Sequence, residues 1–152
     1  MYDANEVGWV ADITRYRAKA QGGDTAQVFG ERRTTYAELD AYANRVAQGL
    51  IAEGCKPDSR IGYIGKSSDL YFEVLYGAFK AKAVMVGVNW RLAAPEIAYV
   101  LNDSRTEILF VGAEYYDVVE KVLPECPNIR KVVALDGGRS DWISFEIGRA
   151  HV

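Results

Sequence analysis

Asn89-Trp90-Arg91-Leu92 places an arginine directly after an apolar, strand-like run from Val84 to Val88. A guanidinium there can grip phosphate through two parallel hydrogen bonds, and open α/β sheets bind their ligands outside the carboxyl ends of their strands. The competing use is structural: Asn89 and Arg91 can fix the loop by bonding nearby carbonyls, the commoner role on residue type alone. Gly65-Lys66-Ser67, after one strand-like run and before a helical one, invites a phosphate-loop reading, in which backbone amides cradle phosphates and the lysine reaches the outer ones. That pattern needs a glycine five positions before Gly65, where Arg60 stands. The expected role of this turn is therefore capping of the next helix by Ser67 or Ser68. No G-x-G-x-x-G occurs, so the dinucleotide fingerprint is missing. Asp117 and Glu120 are carboxylates close in sequence, expected on a solvated helix face. Cys55 and Cys126 lie far apart with no C-x-x-C or Cys/His ligand spacing, which disfavours a disulfide or zinc site. The sole histidine, His151, leaves no partner for histidine-activated nucleophilic chemistry. No catalytic constellation and no metal-ligand set is expected in the chain.

These loops need a scaffold, and the apolar spacing supplies one. Val10, Ile13 and Tyr16 recur at helical spacing between Trp9 and Ala20, and Gly22-Gly23 ends that helix; Arg15, Arg17 and Lys19 give it a mildly basic, solvated face. Gln27–Phe29 and Arg32–Thr34 flank Gly30-Glu31, a two-residue hairpin connection. Thr35 with Glu38 forms a T-x-x-E capping box. It opens a helix whose stripe is Leu39, Ala43, Val46, Ala47 and Leu50, stopped by Gly54 and Pro57. Strand and helix then alternate: Ile61–Ile64, a helix from Asp69 to Ala81, Val84–Val88, a helix from Pro95 to Asn102, Ile108–Val111, a helix from Glu114 to Val122, and Lys131–Leu135 before an Asp136-Gly137-Gly138 turn. Repeated βα units predict an α/β fold with a mainly parallel sheet and a short N-terminal hairpin. Phe72, Leu75, Tyr76 and Phe79 share one helix face; such a stripe could line an acyl tunnel, but core packing is the expected use.

The 152 residues suggest one domain, with 49% apolar and 26% charged residues. Eighteen basic against twenty-one acidic residues give a net charge of −3, with no basic block to neutralise nucleic-acid phosphates. No apolar run is long enough to span a bilayer, and Asp3 and Glu6 stand where a secretory leader carries positive charge, so a cytoplasmic location is expected.

Three phrases in this order are specific: Thr35-Tyr36-Ala37-Glu38-Leu39, the Gly65-Lys66-Ser67-Ser68 turn, and Asn89-Trp90-Arg91-Leu92 followed by Ala94-Pro95-Glu96-Ile97. Together they resemble the AMP-forming acyl-CoA synthetases, over roughly Asp12 to Gly138. The N-W-R-L form is most similar to medium- and long-chain fatty-acyl-CoA ligases and their relatives acting on aromatic or steroid-side-chain acids. The resemblance implies an ATP-dependent acid–thiol ligase of fatty acid metabolism that converts a carboxylate to an acyl-adenylate and passes it to coenzyme A, with magnesium (Mg2+) accompanying ATP. It allows a homodimeric parent. The family's later phosphate loop, adenine and ribose contacts and lid lysine have no counterparts here, so no catalytic residue carries over and the chain alone is expected to be inactive and marginally stable. One transfer remains: the arginine of the N-x-R-L segment lies near the coenzyme A phosphates in some CoA ligases, which implies Arg91 as a coenzyme contact. The alternatives are a carrier-protein-loading adenylation domain and a non-catalytic nucleotide- or CoA-binding module. In two places the chain departs from the family pattern. Lys82 replaces a glycine at an expected positive-φ helix end, at a cost of roughly 1 kcal/mol, and Gly87 stands where proline is common.

The last six residues, Ile147-Gly148-Arg149-Ala150-His151-Val152, match the in-frame translation of a common sequencing adapter (ATC GGA AGA GCA CAC GTC) and are expected to be an artefact. Residues 1–146 are then expected to be the N-terminal part of the large adenylate-forming domain.

Overall fold

In the computed structural model, which describes residues 6–139 and 141–145, the chain forms two compact units. One combines the residues up to Cys55 with Ser67–Lys82, and the other combines Lys56–Lys66 with the residues from Ala83 onward. The adapter-like tail lies outside the described residues.

The first unit carries α1 (Asp12–Gln21), β1 (Thr25–Phe29), β2 (Arg32–Thr35), α2 (Tyr36–Ala52) and α3 (Asp69–Lys80). β1 and β2 pair antiparallel across Gly30-Glu31. The expected capping box opens α2: the Glu38 amide donates to the Thr35 hydroxyl at 3.2 Å, and the Thr35 amide donates to the Glu38 carboxylate at 2.8 Å. The predicted stripe, Leu39, Ala43, Val46, Ala47 and Leu50, is buried throughout. At the other end of α2 the Gly54 amide donates to the Ile51 carbonyl and the Cys55 amide to the Leu50 carbonyl, both at 2.9 Å. With Gly54 at φ +82° this is a Schellman motif, and glycine adopts that conformation without a Cβ clash. α3 approaches α2 so closely that a Cβ on Gly77 would lie 2.4 Å from Val46 Cγ1 and 2.5 Å from Val46 Cβ.

Two polar clusters organise this unit. Lys80 donates to Asp40 and to Asn44, both at 2.8 Å, while the buried Thr14 hydroxyl donates to Asp40 at 2.7 Å, tying α1, α2 and α3 together. Arg32 grips the buried Asp69 carboxylate bidentately at 2.8 and 2.6 Å, anchoring the hairpin to the start of α3.

Two expectations for α3 are revised. Ser68 occupies the cap position but makes no side-chain cap bond; instead Asp69 accepts from the Leu70 amide at 3.1 Å. The buried face is Asp69, Leu70, Glu73, Val74, Gly77 and Ala78, whereas Phe72 is exposed and Leu75, Tyr76 and Phe79 are half-buried. The buried face carries two carboxylates, Asp69 and Glu73, so apolar periodicity points to the other, more aromatic side.

The second unit is a five-stranded sheet in the order β4-β3-β5-β6-β7, built from β3 (Arg60–Ile64), β4 (Val84–Val88), β5 (Ile108–Val111), β6 (Lys131–Ala134) and β7 (Ile143–Ser144). Every pair is parallel. All four residues of β5 are buried, the continuous apolar run typical of a parallel strand. α4 (Ala94–Asp103) and α5 (Tyr116–Val122) contribute Ile97, Leu101, Val119 and Val122 to a core shared with Ile64, Leu109 and Val111. Glu114 and Tyr115, expected as the start of α5, belong instead to a separate 3₁₀ turn over residues 113–115, and β7 is an addition to the predicted strands. Asp117 and Glu120 lie on the exposed face of α5 as expected, yet both are ion-paired to Arg139.

Candidate functional site at the carboxyl edge of the sheet

β3, β4 and β5 end level, with Ile64 opposite both Val88 and Val111. Because all run in one direction, the residues that follow them emerge on one edge. Gly65-Lys66 follows β3, Asn89-Trp90-Arg91 follows β4, and Gly112 to Tyr115 follows β5. β3 connects onward to β4 on one side, while β5 connects onward to β6 on the other. The strand order therefore reverses between β3 and β5, the kind of crevice where open α/β sheets bind ligands.

The N-x-R-L turn is held locally. The Asn89 side-chain oxygen accepts from the Arg91 amide at 3.0 Å and the Asn89 carbonyl accepts from the Leu92 amide at 3.2 Å. The loop-fixing role expected for Asn89 is thus present, without the Arg91 side chain. The exposed Arg91 instead lays its guanidinium over the Trp90 ring, 4.6 Å from the centroid. Glu96, the acid of the same segment, accepts from the Ala93 amide at 2.8 Å and so secures the start of α4. On α4, Pro95 occupies the first turn, where its missing amide hydrogen is not needed.

Lys66 approaches the same indole, its Nζ 5.7 Å from the centroid, and donates to Glu114 Oε1 at 2.9 Å. The ion pair joins the turn after β3 to the turn after β5. Tyr115 packs against Trp90 with centroids 6.1 Å apart and planes tilted by 42°, and the Tyr63 hydroxyl donates to the Lys66 carbonyl at 3.3 Å. Hydrogen bonding and charge from Glu114 push the Lys66 ammonium upward, so it stays cationic across the neutral range. Burial and then the Glu114 charge push Tyr115 upward, against the opposing pull of Lys66 and Arg91, so it remains a neutral phenol. The cluster therefore offers two permanent cations on one aromatic platform, with one resident carboxylate. It suits recognition of an anion and contains no evident nucleophile or general base. Among the described residues no group of three or more His, Cys, Asp or Glu side chains is placed to hold a metal.

Arg91 was the residue singled out from sequence. Lys66 appeared only within the rejected phosphate loop, and Trp90, Glu114 and Tyr115 carried no assigned role. The signal that could have found them is topological: in a parallel sheet, the first residues after neighbouring strands share an edge. Cys55 and Cys126 are both buried and form no disulfide with each other, and burial pushes the Cys126 thiol upward, away from reactivity.

Residues 14–149 match the family model described as AMP-binding enzyme. A fatty acid–[acyl-carrier-protein] ligase of Streptomyces coeruleorubidus is 40% identical over 133 residues, covering 88% of this chain and 25% of that protein. A medium/long-chain-fatty-acid–CoA/3-oxocholest-4-en-26-oate–CoA ligase of Mycobacterium tuberculosis is 30% identical, covering 85% of this chain and 24% of that protein. Among solved structures, the N-terminal domain of FACL13 from Mycobacterium tuberculosis superposes with a TM-score of 0.86 at 27% identity, over 95% of this chain and 36% of that one. An anthranilate CoA ligase bound to anthranoyl-AMP shares the fold, with a TM-score of 0.89 at 24% identity over 98% of this chain and 30% of that one. The chain thus spans about a quarter of the length of the curated relatives it matches. On the family match, the ordered motifs and the parallel α/β fold together, the chain belongs to the AMP-binding enzyme family.

Proposed function

We propose that this chain is the N-terminal part of a longer ATP-dependent acid–thiol ligase, and that Arg91 contacts the phosphates of its coenzyme A. In this reading a carboxylate, fatty or related, attacks the α-phosphorus of ATP and expels pyrophosphate. The coenzyme A thiol then attacks the acyl carbon, AMP departs, and the thiol proton is released. Magnesium would neutralise charge on the nucleotide. The cations Lys66 and Arg91 fit phosphate, and among the described residues no group of three or more His, Cys, Asp or Glu side chains is placed to hold magnesium. The observation that carries the reading is the display of the Arg91 guanidinium on Trp90 at the carboxyl edge, where it is not consumed by loop carbonyls.

The relative at 40% identity loads a carrier protein, which supports a second reading in which the acceptor thiol is carried on a protein. Long-read sequencing across the codons for Asp141 to Val152 tests the assignment of residues 147–152 to an adapter: a frame that continues past Glu146 into a Ser/Thr/Gly-rich loop supports it, and a stop codon after Val152 overturns it. The full-length enzyme so defined is then assayed by AMP release. Arg91→Ala raises KM for coenzyme A while leaving KM for ATP unchanged if the coenzyme reading holds. Equal turnover with carrier protein and no turnover with coenzyme A would overturn it. A cytoplasmic, homodimeric enzyme is the accompanying expectation, to be checked by fractionation and light scattering.

A further inference from the structure

Arg91 does not stand alone. Lys66 and Arg91 come from the ends of different strands yet converge on one indole, at 5.7 and 4.6 Å from its centroid. The two differ in one respect. Arg91 is held by the ring, whereas Lys66 already holds an anion, the Glu114 carboxylate, at 2.9 Å. Both members of that pair are more than half exposed, with side-chain exposures of 58% and 60%. Water therefore screens the pair, and separating it costs little. A phosphate group carries more charge than a carboxylate and presents more acceptor oxygens. Glu114 thus occupies the place that a phosphate would take on Lys66.

We propose that Lys66 is a second phosphate contact, arrayed with Arg91 on Trp90, and that Glu114 is a built-in competitor which a nucleotide phosphate displaces from Lys66. The ligand class is a nucleotide bearing more than one phosphate group. The proposal rests on the preceding reading for Arg91 but adds the second cation and the exchange of anions on it. Glu114 sets a threshold: singly charged carboxylates gain nothing by replacing it, and polyphosphorylated ligands do.

The test is calorimetric titration of the full-length enzyme at low salt with adenosine 3′,5′-bisphosphate. Glu114→Gln is expected to tighten binding about two- to fivefold, the range that an exposed ion pair supports. Lys66→Gln is expected to weaken binding and to abolish the gain from Glu114→Gln, while Lys66→Arg retains it. An unchanged affinity in Glu114→Gln overturns the proposal, as does an equal gain in the Lys66→Gln background, which would be a general effect of surface charge. Loss of binding in Arg91→Ala with no response to Glu114→Gln leaves the coenzyme contact standing and removes the anion exchange. The converse pattern keeps the exchange and removes Arg91. No binding by either the wild type or Glu114→Gln overturns both.

Discussion

Replacing Lys82 with glycine should stabilise the protein by up to about 1.5 kcal/mol. Lys82 follows α3 with φ +58°, and its amide donates to the Phe79 carbonyl at 3.0 Å, as the residue after a helix cap does when it closes the helix end. The left-handed conformation costs an L-residue about 1–2 kcal/mol through its Cβ, and glycine avoids that cost. Glycine also loses more backbone freedom on folding, an offset of roughly 0.5–1 kcal/mol. The difference is a net gain of about 0–1.5 kcal/mol, each kcal/mol being equivalent to about 2–4 °C in Tm for a chain of this size. The Lys82 side chain is exposed and Ala81 beside it is buried, so the substitution removes no core contact. Thermal and urea melts should show Lys82→Gly above the wild type, with Lys82→Ala level with or below it, since alanine keeps the Cβ and drops only the charge. A gain in Lys82→Ala equal to that in Lys82→Gly would show that surface charge, not φ, is responsible, and the argument would fail. Arg105 repeats the geometry after α4 at φ +55°, so Arg105→Gly offers an independent repetition.

Gly77→Ala should destabilise by about 1–3 kcal/mol despite alanine's better helix propensity, because its Cβ meets Val46 at a backbone-proximal atom that no rotamer change moves. Adding Val46→Gly, which removes both clashing atoms, should recover part of the loss, and strictly additive effects in the double mutant would refute the contact. Arg32→Ala should cost more than Asp69→Asn, by denaturant midpoint, because the first strands a buried carboxylate and the second leaves a guanidinium that is 59% exposed. The reverse order would show that the clasp is not limited by Asp69 burial. Stability should fall at alkaline pH. Burial raises Cys126 and Tyr116 in the folded state, so their protonated forms favour folding fully below the unfolded values and progressively less as pH rises through the folded ones. Melts above about pH 9 should therefore lose stability, less steeply in Cys126→Ala; an identical slope would remove the thiol from the explanation.

The elements that were legible in the sequence are those whose local chemistry and tertiary use agree. The Thr35/Glu38 box names the start of α2 to the residue, and β4 and β5 have the bounds expected from their apolar runs. Lys82 was legible through a missing glycine. α3 was harder because its buried face carries Asp69 and Glu73 while the aromatic side is more exposed, and Gly77 makes sense only once Val46 is known to lie against it. The 3₁₀ turn at residues 113–115 replaces a helical start, and β7, two residues long, offers too little pattern to find. Arg91 was visible because it sits in a recognisable phrase. Its companions were not, because Lys66 and Glu114 lie 48 positions apart and meet only through parallel pairing.

The position of β3 inside the sheet has a consequence for how the chain comes off the ribosome. Ile61 acquires its partner Met85 on one edge 85 − 61 = 24 residues later, and its partner Ile108 on the other 108 − 61 = 47 residues later. At about 5–20 residues per second of synthesis, the second edge waits roughly 2–9 seconds. During that interval β3 is a finished strand with an open apolar flank, the form most prone to wrong pairing. Stalled nascent chains should become protease-resistant around β3 only once Val111 has cleared the exit tunnel, and resistance in chains ending near Val88 would show that one neighbour is enough.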